Sequence, residues 1–107
     1  MLIYLEAMVL ATSPDDGLRD GRQALGLASR AARLTGLQGP VALLALAAAR
    51  AELGETVEAR RILAAAEGLA RAGRKPAFLP LLQKAATQIE TQGRVRFDAD
   101  DWRNSAL

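Results

Sequence analysis

The stretch PVALLALAAARAELGETVEARRILAAAEGLARAG, residues 40 to 73, decides the fold. A proline opens it, Gly54 interrupts it and Gly73 ends it. On both sides of Gly54, apolar residues recur at helical spacing, which is typical of helices that bury one face. Proline is favoured at the first position of a helix and glycine just after the last. The stretch therefore predicts two helices, 40–53 and 55–72, joined by a tight turn into a hairpin.

The same punctuation by glycine and proline divides the rest of the chain. Further helices are expected at 2–12, 18–35 and 76–92, because glycine or proline follows each of them closely. We expect one helical domain over residues 1–93 and an irregular or partly disordered tail over 94–107. The predicted apolar stripes of the second, third and fourth helices are Ala24, Leu27, Ala28, Ala31 and Leu34; Leu43, Leu46, Ala47 and Leu53; and Val57, Ala59, Leu63, Ala66 and Ala70.

The composition favours an all-α protein and argues against an enzyme. Apolar residues make up 50% of the 107 residues and aromatic residues only 4%, so the core is built from alanine and leucine, which suits helix packing better than sheets. The chain has no cysteine and no histidine, the side chains that most often supply nucleophiles, general bases and zinc ligands. We therefore expect no catalytic residues, no cofactor and no metal.

The charge pattern argues against nucleic acid, and the hydropathy argues against a membrane span. The net charge is +2, and the arginines are spread over several helices instead of gathering on one face beside stacking aromatics. The apolar run VALLALAAA, residues 41 to 49, is far shorter than the roughly 20 residues that cross a bilayer. We expect a cytoplasmic protein that does not bind a membrane, and nucleic-acid binding is not favoured.

Two acidic stretches raise the question of a metal site. In SPDDGLRDG, residues 13 to 21, Pro14 cannot continue the first helix, and Asp16 or Asp20 can cap the second. A calcium loop would need an acidic ligand about twelve positions along, where this chain has alanine, leucine and glycine. The second stretch, DADD at 98–101, lies in the predicted tail, where no second shell would fix its carboxylates. Both stretches are interpreted as connectors.

An internal repeat is visible in the helical part. The pair Leu46-Ala47 recurs as Leu10-Ala11 and, more loosely, as Ala85-Ala86, at offsets of 36 and 39 residues. Gly54 and Gly93 share the offset of 39. These spacings are close to the about 34 residues of a tetratricopeptide repeat (TPR) unit.

On these residues the chain resembles the TPR family, in particular the C-terminal repeats of bacterial TPR proteins. The large and small positions of the family's repeat are matched within 40–73 by Leu43, Leu46, Ala47, Gly54, Ala59, Leu63 and Ala66. Four positions depart from the pattern: Arg50 replaces the usual tyrosine, Thr56 an aromatic, Glu67 an apolar residue and Arg71 a common proline. The resemblance implies a right-handed array of about five antiparallel helices in hairpins, with 76–92 as a capping helix.

The resemblance also implies a function, because the first helix of each TPR unit lines a concave groove that holds a partner's peptide or helix. By register, the groove here would be lined by Leu5, Met8, Thr12, Val41, Leu44, Ala48, Ala51, Gln83 and Thr87. That lining is mostly apolar. We therefore expect a protein-interaction scaffold that binds a helical or hydrophobic peptide segment, or a second copy of itself.

The partner and the assembly stay open at this stage. Leu2, Ile3 and Leu5 have no capping helix in front of them, so self-association into a homodimer, docking onto a longer repeat array, or coverage by the tail would each bury them. In the tail, Phe97 and Trp102 are candidate anchors. The alternatives to a scaffold are a structural oligomerisation or capping piece of a longer repeat protein and, less favoured, a small basic regulator associated with nucleic acid.

Overall fold

The computed structural model describes residues 3–17, 19–34, 39–73, 78–97 and 101, with side chains of the first helix described at residues 7, 8 and 10–12. Over this part of the chain the fold is all-helical, without a strand. The five helices are α1 (Ile3–Thr12), α2 (Gly21–Leu34), α3 (Pro40–Glu52), α4 (Thr56–Arg71) and α5 (Leu79–Gln92). The predicted helix ends at residues 2, 18, 35 and 76 lie outside the described residues.

Glycine, proline and one aspartate mark the helix ends. Asp20 caps α2, because its Oδ1 accepts the backbone N–H of Gln23 at 3.0 Å. Pro40 is the first residue of α3 and Pro80 lies in the first turn of α5, where the N–H that proline lacks would have no helical partner. Gly54 and Gly93 follow α3 and α5 with φ of 85° and 73°, the left-handed backbone that glycine adopts without strain.

Helix α3 lies at the centre of the fold. It packs against α1, α2 and α4, and makes a smaller contact with α5. Nine of its 13 residues are buried, which explains why VALLALAAA carries no polar residue. Ala47, Ala59 and Ala66 are fully buried, so α3 and α4 meet the core through alanine, whose small side chain permits close helix approach.

Three apolar residues of the predicted stripes are exposed instead of buried. Leu34 and Val57 are each 65% exposed, and Leu53 is 37% exposed. Leu34 is the last residue of α2, Leu53 follows α3, and Val57 is the second residue of α4. Each lies at or directly beside a helix end. The prediction that Leu34 and Leu53 are buried is therefore wrong.

Candidate functional site

The most distinctive feature of the molecule is the short piece of chain after α5, residues 94–97, which we name the C-terminal segment. The left-handed Gly93 ends α5, and hydrogen bonds described below place the segment back alongside that helix. Val95 and Phe97 are buried at 0% and 1% exposure, whereas Arg94 is exposed and the Arg96 side chain is 18% exposed. Burial of alternate residues is the pattern of an extended strand with one face on a core.

The main chain of the segment is held by groups from two helices. The Gln88 carboxamide donates through Nε2 to the carbonyl of Arg96 at 2.9 Å and accepts the N–H of Arg96 at 2.9 Å. This exchange of one donor and one acceptor resembles that of a residue pair in an antiparallel ladder. The N–H of Phe97 donates to the carbonyl of Thr12 at 3.0 Å.

The position of Thr12 at the end of α1 leaves its backbone carbonyl available for this contact. The last carbonyls of a helix have no partner within the helix, so that of Thr12 is free to accept the N–H of Phe97. The Thr12 hydroxyl donates to the carbonyl of Met8 at 2.6 Å and is buried with it. The polar atoms of Thr12 are thereby satisfied in an otherwise apolar surrounding.

A single carboxylate joins the segment to the helix ends. Oε1 of Glu52, the last residue of α3, accepts from Arg96 Nη1 at 2.7 Å, and its Oε2 lies 3.5 Å from Arg19 Nε. The three side chains are only 15 to 20% exposed. Arg19 also donates to the carbonyl of Ser13 at 2.7 Å and pairs with Asp16. Glu52 therefore connects the α1–α2 loop, α3 and the C-terminal segment.

Gly21 allows α2 to begin close to this carboxylate. A Cβ at Gly21 would lie 3.1 Å from Glu52 Cγ and 3.1 Å from Leu53 Cδ2, closer than nearly all Cβ contacts. A side chain at Gly21 would therefore require Glu52 and Leu53 to shift by a few tenths of an ångström.

A second charged contact lies beyond Phe97. Lys84 on α5 pairs with Asp101, and its Nζ is 6.0 Å from the centre of the Phe97 ring, at the outer limit of a cation–π contact. Asp101 belongs to the DADD stretch, whose other residues lie outside the described part of the chain. The contact places Asp101 beside Lys84, which lies in the first half of α5.

An open, polar cleft of about 410 Å³ lies where the segment leaves α5. Its lining comes from the α1–α2 loop on one side and from the end of α5 and the segment on the other. The lining residues are Pro14, Asp16, Arg19, Gln92, Arg94 and Arg96.

The residues predicted to line a groove are mostly in the interior. Met8, Thr12, Leu44, Ala48 and Ala51 are 0 to 3% exposed. Val41 is half-buried and Gln83 and Thr87 are exposed, while the side chain of Leu5 is outside the described part. The four apolar members of the buried group belong to the same core cluster as Val95 and Phe97. With the segment in place, these buried side chains present no open surface.

Of the two predicted tail anchors, Phe97 is buried and Trp102 lies outside the described residues. Sequence reasoning missed Gln88, Glu52 and Arg96. The sequence carried only a weak signal, the alternation Val95-Arg96-Phe97 two residues after the helix-ending Gly93, which is too short to predict a packed strand-like segment.

The described residues contain neither a metal-binding cluster nor a membrane-spanning helix. No group of three or more histidine, cysteine, aspartate or glutamate side chains is arranged to hold a metal ion there. None of the five helices combines the length and hydropathy that crossing a bilayer requires, over the same residues. Comparison with protein families, curated proteins and solved structures finds no match to this chain.

Proposed function

We propose that this chain is a protein-interaction module that binds an extended, alternately apolar segment of a partner protein. The surface is the one that its own C-terminal segment now occupies. The observation that carries the proposal is the way residues 95–97 are held: the main chain by Gln88 and Thr12, the alternate side chains in the core. Main-chain bonds with pockets for every second side chain are a recurrent mode of peptide recognition.

In this proposal the helices form TPR-like hairpins, α1 with α2 and α3 with α4, and α5 acts as the cap. The packing of α1 on α2, of α3 on α4 and of α1 on α3 supports that arrangement. The segment is hydrogen-bonded to both α1 and α5, since Phe97 N–H donates to the Thr12 carbonyl and Gln88 Nε2 donates to the Arg96 carbonyl. The binding surface of the proposal is thus the side formed by the first helices of successive hairpins.

The binding energy would come from two sources. Burying valine and phenylalanine side chains stabilises by about 1.5 to 3 kcal/mol each, and each net hydrogen bond adds about 1 kcal/mol. The groups that bond the main chain belong to the helices, so they would hold any extended segment that places apolar side chains at the positions of Val95 and Phe97.

The C-terminal segment acts as a built-in competitor. Because Gly93 ties it directly to α5, its effective concentration at the surface is in the millimolar range or above. A partner segment binds either by higher affinity or when the chain's own segment is weakened. Phe97→Ala weakens the binding of the chain's own segment but leaves Gln88, Thr12 and Glu52 unchanged. The variant therefore reduces competition by the segment while keeping these residues of the binding surface.

The test uses the full chain and the amidated peptide GRVRF, which corresponds to residues 93–97. NMR titration follows the side-chain amide of Gln88 and the backbone amides at the end of α1. We expect Phe97→Ala to bind the peptide at least tenfold more tightly than the parent chain. Val57→Ala, at a residue that is 65% exposed, should behave like the parent, and the peptide GRARA should not bind.

Absence of binding by Phe97→Ala, with its helical circular dichroism retained, would overturn the proposal. If that variant does not fold, Val95→Ala is the substitute, since it removes less buried volume. Sedimentation of the parent chain, and of Phe97→Ala mixed with the parent chain, over a range of concentrations tests whether a second copy supplies the segment. A shift to dimers would show that a second copy supplies the segment, and the proposal of a different partner protein would be wrong.

A further inference from the structure

Arg96, which lies between the buried Val95 and Phe97, is held through both its main chain and its side chain. Gln88 hydrogen-bonds both the N–H and the carbonyl of Arg96, which fixes the main chain of that residue. The direction in which the Arg96 side chain leaves the main chain is therefore defined. That side chain reaches Glu52, 44 residues earlier in the sequence, at 2.7 Å. One Arg96 nitrogen, Nη1, also donates to the carbonyl of Val95 at 2.9 Å.

Glu52 has a physical need for a cation at this position. It is the last residue of α3, where the partial negative charge of the helix end disfavours a carboxylate. It is also only 20% exposed, so water compensates its charge incompletely. A hydrogen-bonding cation satisfies both requirements.

Arg19 does not fully meet that need. Its Nε lies 3.5 Å from Glu52 Oε2, yet this buried Nε has no hydrogen-bond partner among the described residues. The other guanidinium nitrogens of Arg19 bond Ser13 and Asp16. The short, charged hydrogen bond to Glu52 therefore comes from the C-terminal segment alone.

We propose that Glu52 selects partner segments that carry a basic residue between their two apolar residues, as in apolar–arginine–apolar. The inference rests on the proposed function and names the chemistry of its partner: an extended segment that is apolar on one side and cationic in the middle. A neutral central residue leaves Glu52 without its bond, and an acidic one adds repulsion in a partly buried place.

The experiment compares three amidated peptides, GRVRF, GRVAF and GRVEF, on the full chain carrying Phe97→Ala. We expect about tenfold tighter binding of the arginine peptide than of the alanine peptide, the lower range for a charged hydrogen bond. The glutamate peptide should bind more weakly still. In the Phe97→Ala, Glu52→Gln double variant, the ratio between arginine and alanine peptides should fall below threefold.

Only ratios between peptides within one variant are compared, because Glu52→Gln also loosens the chain's own segment and shifts all affinities together. Glu55→Gln is the matched control. Glu55 lies three residues further along, pairs with Arg50 and not with the segment, and its removal should leave the tenfold ratio intact.

The outcomes separate the two proposals. If none of the peptides binds, the proposed function fails. If all three bind equally, or if the arginine preference persists in Glu52→Gln, the surface binds segments and the selection by Glu52 is wrong. Should the double variant unfold, the salt dependence on Phe97→Ala decides: the arginine preference must shrink as ionic strength rises, and a preference that is constant with salt contradicts the role of charge.

Discussion

Gln88 and Arg96 form a reciprocal pair of hydrogen bonds, in which one carboxamide both donates to and accepts from the main chain of one residue, each at 2.9 Å. Such a pair hydrogen-bonds the main chain of a segment as a neighbouring antiparallel strand does in a sheet. It allows a helical protein to hold an extended stretch of chain. Gln88 on α5 is therefore one of the groups that hold the C-terminal segment, together with Thr12 and Glu52.

Gln88→Ala should release the main chain of Arg96. Two net hydrogen bonds of about 1 kcal/mol each are lost, so we expect the amides of Arg96 and Phe97 to exchange with solvent at least tenfold faster. Hydrogen exchange measured by NMR tests this. Gln83→Ala, at an exposed position of the same helix, is the control and should leave both rates unchanged. Unchanged rates in Gln88→Ala would mean that the pair does not hold the segment in solution.

Much of the helical framework follows from the sequence, because its signals are local. Gly54 and Pro40 mark helix ends through their own backbone preferences, and alanine at helical spacing indicates close packing. Over the part of the chain that the structure describes, the five helices α1 to α5 correspond to the five that were predicted. The exposure of Leu34 could not be predicted, since it depends on how far the neighbouring helix extends.

The site was harder to predict than the helices. The tail over residues 94–107 was expected to be irregular or partly disordered, and nothing local indicated that residues 95–97 pack on the core. Its contacts with Thr12 and Glu52 join residues far apart in the sequence. An alternation of only three residues is too short to distinguish a packed segment from a loop.

Phe97→Ala should lower the free energy of unfolding by about 3 kcal/mol, the usual cost of removing a buried phenylalanine side chain. Phe97 is 1% exposed and belongs to the core cluster. Urea denaturation followed by circular dichroism gives the value. Val57→Ala removes an apolar side chain that is 65% exposed, and should change stability by no more than about 0.5 kcal/mol. Equal midpoints for Phe97→Ala and the parent would show that the segment is not packed.

Glu52→Gln should destabilise the fold by about 1 to 2 kcal/mol, because it leaves two largely buried guanidinium groups without their shared carboxylate. The loss should shrink as salt is raised. Glu58→Gln is the control variant. Glu58 Oε2 lies 4.0 Å from Arg61 Nη1, and the two side chains are 52% and 77% exposed. Such an exposed ion pair contributes almost nothing to the free energy of unfolding. Denaturation at low and high ionic strength measures both variants. A loss for Glu52→Gln no larger than that for Glu58→Gln would contradict a stabilising role for the carboxylate.

Glycine to alanine substitutions should have opposite effects at two kinds of position. Gly26 and Gly68 lie inside α2 and α4, with nothing within 4 Å of an added Cβ, so alanine should stabilise by about 0.5 to 1 kcal/mol at each. Gly54 also has open space, yet its φ is 85°, which costs a non-glycine residue about 1 kcal/mol. Thermal unfolding should therefore show a higher Tm for Gly26→Ala and Gly68→Ala and a lower one for Gly54→Ala. An added Cβ meets no neighbour at any of the three positions, so backbone conformation alone decides whether the Tm rises or falls. A higher Tm for Gly54→Ala would show that the α3–α4 turn differs in solution.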